Sequence, residues 1–144
     1  QGKILQVIEG TYATYMATTS TSYTNTNLTS TITPSSTTSK ILVITSCTVT
    51  APGQPVACHT AIFRGAQDPA GGALVGTNIT GDAVMTYSAA DLIYASTSLM
   101  KLDSPATTSA QTYTFGFRSS QAGSMVGFNP DNVNSYITLM EVAA

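Results

Sequence analysis

Short apolar runs alternate with threonine and serine along most of the chain, and the period of alternation is two. That is the spacing of half-buried strands, not of helices. The clearest case is Lys40–Ala51. Ile41, Leu42, Val43 and Ile44 are apolar on both faces, as in a strand covered on both sides. Beyond Thr45 the pattern becomes mixed. Cys47 and Val49 share one face, and Ser46, Thr48 and Thr50 share the other. Leu28–Thr33 precedes it and must stop at Pro34, which has no N–H to donate. Pro34–Ser39 supplies turn formers.

The same reading applied in order gives about eight to ten strands. Lys3–Glu9 is a first strand, ended by Gly10. Thr11–Met16 alternates weakly around Tyr12 and Tyr15. Ser20–Asn27 is an edge strand or extended loop around Tyr23. Pro52-Gly53 has type II turn chemistry, so Val56–Arg64 is expected to return as a hairpin partner of Lys40–Ala51. Ala66–Gly72 is a loop. Ala73–Asn78 is a short strand, and Ile79–Met85 runs past Gly81-Asp82. In Ser88–Leu102, Leu92, Ala95, Leu99 and Leu102 fall at helical spacing, and Asp91 could cap a helix. Tyr94, Thr97 and the serines are poor helix-interior residues, so the spacing is read as a turn near Ser88–Asp91 and a strand over Ser96–Leu102. Gln111–Ser119 alternates cleanly, with Tyr113, Phe115 and Phe117 on one face. Gln121–Asn132 is loop-rich, and Tyr136–Val142 is the last strand.

Strands at this spacing with short connections predict one all-β domain over residues 1–144, an antiparallel β-sandwich or jelly roll. Ile41, Val43, Phe115, Phe117, Ile137 and Leu139 are its expected core. No repeat of 20–50 residues marks a solenoid or propeller.

Composition narrows the function classes. Charged residues make up 8% of the chain and the net charge is −2. Without a basic patch to neutralise phosphates, nucleic-acid binding is not expected. No apolar run approaches ~18 residues, so no membrane insertion is expected. No charged and apolar leader opens the sequence, so no secretory signal is expected. Threonine, with 25 residues, and serine, with 16, supply most of the polar side chains. Such a surface carries little charge repulsion against neighbouring copies, which suits packed assemblies.

Candidate chemistry is sparse. Cys47 and Cys58 bracket the Pro52-Gly53 turn and are expected on neighbouring strands, as buried thiols. No Cys/His spacing suggests zinc. His59 is the only histidine, and no GxSxG-type signature accompanies it. Glu9, Asp68, Asp82, Asp91, Asp103, Asp131 and Glu141 are scattered singly. A two-carboxylate glycan-cleaving site would need a spatial pair, and there is no Trp platform. Asn129-Pro130-Asp131-Asn132 has oxygen ligands but not the spaced acids of a calcium loop, so it reads as a turn. Asn27-Leu28-Thr29 and Asn78-Ile79-Thr80 match glycosylation acceptors. Catalytic residues, cofactor and metal are therefore all expected to be none.

Several segments together resemble a module of tailed-bacteriophage structural proteins, found at the C-terminal end of tail-fibre proteins. They are Gly2–Val7 (GKILQV), Thr18–Tyr23 (TTSTSY), Thr31–Val43 (TITPSSTTSKILV), Leu102–Ser109 (LDSPATTS), Tyr113 with its alternating partners, and Ile137–Ala144 (ITLMEVAA). Ala51–Leu99 departs most from the pattern and would hold variable loops. The resemblance implies a jelly-roll-like sandwich forming a homotrimer on the virion surface, assembled in the host cytoplasm. Its implied use is host attachment, with a host surface glycan or protein receptor and other virion proteins as partners. Capsid decoration is the alternative, and a glycan-cleaving enzyme a more distant one. The chain begins at Gln1 with no shaft-like repeat ahead of it, as expected of a separate small protein or a cut-out module. The terminal strands are expected together at the virion-joining end, and Ala66–Gly72 and Gln121–Asn132 at the outward end.

Overall fold

The computed structural model describes residues 2–52, 56–65, 71–80 and 92–144, together with the backbone of 83–84. The described strands are β1 (Ile4–Tyr12), β2 (Met16–Thr18), β3 (Thr24–Ile32), β4 (Lys40–Ala51), β5 (Cys58–Arg64), β6 (Thr77–Asn78), β7 (Ala83–Val84), β8 (Ile93–Thr97), β9 (Met100–Asp103), β10 (Gln111–Ser119), β11 (Val126–Phe128) and β12 (Ser135–Val142).

Several of these are pieces of one interrupted lane. β12 pairs with Lys40–Ser46 of β4, and β11 continues along Val49–Thr50. On the other edge of β4, β9 pairs with Ile41–Ile44 and β8 with Cys47–Ala51. β1 and β2 continue each other beside β12 and β11. The first sheet therefore runs β1/β2, β12/β11, β4, β9/β8, and the second runs β3, β10, β5, β6/β7. The first lane pairs the last, the second the seventh, the third the sixth and the fourth the fifth, all antiparallel. That is a long hairpin rolled across two sheets, an eight-lane jelly roll.

Alternation explains the core. Ile41, Val43, Phe115, Phe117, Ile137 and Leu139 are all fully buried between the sheets, as the pattern predicts. Phe128 of β11 meets Phe115 and Phe117 of β10 at ring centroid distances of 5.5 and 5.9 Å, so an aromatic cluster bridges the layers.

Four expectations are corrected. β4 and β5 do not form a hairpin, because both edges of each are already paired and the chain passes between sheets from Ala51 to Cys58. Cys47 and Cys58 therefore lie in opposite sheets, both as buried free thiols. Gly10 does not end β1, which continues to Tyr12. The strand placed over Ser96–Leu102 begins earlier, at Ile93, and runs as β8 and β9. The turn placed at Ser88–Asp91 lies outside the described residues.

Two devices close the flanks of the sandwich. On one side β1 crosses β3 so closely that a Cβ on Gly10 would stand 2.1 Å from the Thr29 carbonyl oxygen. On the other, Arg64 Nη1 of β5 donates to Asp103 Oδ2 of β9 at 2.6 Å, and Tyr113 Oη of β10 donates to the same oxygen at 2.8 Å. That carboxylate ties the second sheet to the edge of the first.

A third tie sits near the chain ends. Glu141 of β12 is fully buried. Its Oε1 accepts the Ser35 N–H at 2.7 Å and the Ser35 hydroxyl at 2.6 Å, and its Oε2 accepts from Gln6 Nε2 at 2.6 Å. Burial alone would raise its pKa. Hydrogen bonds from Ser35, Gln6 and Ser39 outweigh it and bring the carboxyl from its ordinary 4.5 down to about 2.

Three outcomes follow. Gly10→Ala should destabilise by about 3 kcal/mol, since backbone must move to admit the methyl, as read from urea midpoints. Glu141 has a lower pKa folded than unfolded. Its stabilising contribution is therefore complete above pH ~4.5 and is lost as pH falls towards 2. Glu141→Ala should cost about 3 kcal/mol near neutrality and flatten the stability profile between those pH values. Cys47 and Cys58, their pKa values raised to about 12 by burial, should resist alkylation in the folded protein. Both should be modified after unfolding without reductant, as read by mass spectrometry.

Candidate functional site

The first sheet's two ends differ. At one end, Val142 pairs with Ile4 and with Lys40, so the starts of β1 and β4 lie beside the end of β12. At the other, β11 and β8 flank Val49–Thr50. The terminal strands do lie side by side, as expected from the sequence. The segment Gln121–Asn132 lies at the end of the sheet away from Val142. Of Ala66–Gly72, residues 66–70 are outside the described set. Gly71 and Gly72 hydrogen-bond Asn25, which stands opposite Gly116 near the end of β10 that leads into Gln121, so these two residues lie on the second sheet towards the same end as Gln121–Asn132.

The outer faces differ too. Tyr23 and Leu74 cover the second sheet over Ala61, Phe63 and Gly116. The Leu74 N–H donates to the Tyr23 carbonyl at 2.8 Å, which holds that cover down. On the outer face of the first sheet one row is apolar throughout and the next is half polar. Val7, Met140, Leu42 and Leu102 stand in register across four strands, and Glu9, Thr138, Ile44 and Met100 form the next row. Val7, Leu102 and Met100 are 55%, 47% and 70% exposed.

Beyond those rows, towards Val49–Thr50, the same face carries a groove of about 430 Å³. Thr50 and Gly127 are register partners and form its floor. Tyr15, Tyr94, Leu92 and Met125 are among its walls, and Pro130–Asn132 forms a rim. The rim is a short 3-10 turn between β11 and β12 with Asn129, Asp131 and Asn132 at positive φ. Asn and Asp tolerate that region better than most side chains. Buried Asn129 anchors the turn. Its Nδ2 donates to the Tyr12 carbonyl at 2.9 Å, and its Oδ1 accepts from the Ser135 hydroxyl at 2.5 Å. Asn132 Oδ1 accepts the Tyr15 N–H at 3.0 Å, which sets the place of that ring. The Asn129–Asn132 segment is thus a turn, as its sequence suggested, and it also shapes the groove.

The other candidates are dispersed. Half-buried His59 lies beside Arg118, whose Nη2 is 3.3 Å from its Nδ1, on the covered outer face of the second sheet. Glu9 is exposed, while Asp103 and Glu141 serve the ties described above. Asp68, Asp82 and Asp91 are outside the described residues. Asp131 is the single carboxylate among the described residues lining the groove. Among the described residues, no group of three or more His, Cys, Asp or Glu is placed to hold a metal. No described helix is long and apolar enough to cross a membrane.

No family model and no curated protein matches the chain. Among solved structures, it is similar to a chain of infectious bursal disease virus, Gx strain, at 12% identity and a TM-score of 0.38, over 99% of this chain and 40% of that one. The corresponding Gt-strain match has 10% identity and a TM-score of 0.38, over 95% and 40%. A chain of the T13 particle of the same virus matches at 10% identity and a TM-score of 0.36, over 95% and 37%. This chain spans about two fifths of the length of those chains. Overlap at that level says nothing further about this chain.

Proposed function

We propose that this chain is a structural, non-enzymatic module of a bacteriophage virion, a trimeric tail-fibre tip that attaches the particle to its host. The observation that carries the reading is the division of the jelly roll into two ends. The beginning of β1 and the end of β12 lie together, where a shaft would join. The groove and its loop rim lie at the other end. The resemblance to tail-fibre modules supports the same assignment, and its matching segments fall largely on the strands of the terminal half and on the turn into β4.

The bare row of the first sheet supports self-association. The exposed apolar row Val7, Met140, Leu42 and Leu102, extended by Met100, is a surface of the kind soluble proteins usually cover, and one patch repeated around an axis can be covered by cyclic symmetry. Val7, Leu102 and Met100 are placed in the half of the face nearer the termini, so packing there leaves the groove open. A neutral, hydroxyl-rich surface opposes such packing little.

Sedimentation equilibrium at micromolar concentration should give three times the 14.9 kDa chain mass. Leu102→Glu combined with Met100→Glu should reduce it to one chain while preserving the β circular dichroism spectrum. Antibody labelling of intact particles should mark the fibre tips. A wild-type monomer would remove the trimer. Labelling at capsid threefold sites would replace attachment with capsid decoration.

A further inference from the structure

We propose that the groove between Tyr15 and Tyr94 binds an uncharged saccharide of one or two rings. This names the ligand class for the attachment reading and rests on that reading for its biological meaning.

The first support is a hydroxyl. Thr50 is 5% exposed and lines the groove. Its Oγ1 has no hydrogen-bond partner among the described residues. That hydroxyl can both donate and accept, and it is left to whatever occupies the groove, water or ligand. The second support is Gly127 beside it. A Cβ there would stand 2.5 Å from Thr50 Oγ1 and 3.0 Å from Tyr15 Cε2. Any side chain at this position would cover the hydroxyl and fill the floor, so glycine keeps the groove open.

The walls fit a sugar. Tyr15 and Tyr94 are 44% and 53% exposed, and tyrosine offers an apolar ring face with a polar tip. A pyranose presents the complement, a C–H face edged with hydroxyls. Asn132 uses its Oδ1 on Tyr15, which leaves its amide N–H groups to donate. Asp131 can accept two hydroxyl protons. The volume is that of a small-ligand site.

Charge separates the competing ligands. The described lining contains one carboxylate and no Lys, Arg or His, so an anionic sugar would meet repulsion without a counter-charge. A quaternary ammonium such as choline could use the rings and Asp131, but it presents at most one hydroxyl to Thr50, Asn132 and Asp131. A neutral saccharide has hydroxyls for all three.

Saturation-transfer NMR on the whole chain tests this with methyl glycosides of glucose, galactose, mannose and N-acetylglucosamine and their 1→4-linked disaccharides. Transfer to ring C–H protons is expected from at least one. Tyr94→Ala, at an exposed position, and Thr50→Val, of matched shape, should each weaken binding at least tenfold with unchanged circular dichroism. Glucuronate and choline should bind at least tenfold more weakly than the neutral sugar. Absence of transfer from every neutral probe, indifference to both substitutions, or preference for glucuronate or choline would each overturn the proposal. Fluorescently labelled chain on host cells separates it from the attachment reading. Cell attachment without sugar binding would refute the groove alone, and sugar binding without cell attachment would refute attachment alone.

Discussion

The first sheet depends on the pairing of β4 along both of its edges. Twelve residues accept β12 and β11 on one side and β9 and β8 on the other. Short strands such as β11 and β8 have little stability alone. They hold their positions because a long, buried strand templates them. The inward set of β4, Ile41, Val43, Cys47 and Val49, is buried along nearly its whole length. Slipping it by one residue would turn that set outward. The register of β4 thereby places Thr50 at the groove and Leu42 in the bare row, so one pairing pattern sets both surfaces.

The ties at the flanks have different physical characters. At Gly10 the sheets meet because a side chain is missing, which lets β1 come up against the Thr29 carbonyl. At Asp103 they meet through a partly buried ion pair and a tyrosine hydroxyl. Removing one partner of such a pair leaves the other unsatisfied, which costs more than the pair contributes. Glu141 is the same logic taken deeper. Its charge is tolerated because three donor groups in two segments converge on it. It also locks the turn before β4 to the last strand, so the β4 register and the chain terminus are held by one carboxylate.

The strands were legible where alternation was strong. Lys40–Ala51, Gln111–Ser119 and Tyr136–Val142 and all six named core residues follow from period-two patterning. The hairpin from Lys40–Ala51 to Val56–Arg64 was misread because Pro52-Gly53 carries turn chemistry but not the identity of the sheet entered next. Local turn residues cannot encode that choice; it depends on which edges are already occupied. Gly10 was misread as a breaker for a related reason, since its close partner, Thr29, is distant in sequence. The groove had no linear signature at all. Tyr15, Thr50, Tyr94 and Gly127 come from four separate segments, and only Asn129–Asn132 among its rim could be noticed as an unusual polar cluster.

The two outer faces are finished differently. The second sheet spends the segment around Leu74 on covering Ala61 and Phe63. The first sheet leaves Val7, Leu102 and Met100 in water although Tyr23 and Leu74 show that this chain can cover such a face itself. On the trimeric reading proposed above, the bare face is where a neighbouring copy would pack. The tyrosine-walled groove lies on that same bare side, beyond the apolar row. Packing of copies through the row would set their grooves around a common axis at the end away from the joined termini. Weak individual sugar contacts would then act together, because linked sites rebind at high effective concentration. Assembly and recognition would thus both follow from the outward residues of one sheet.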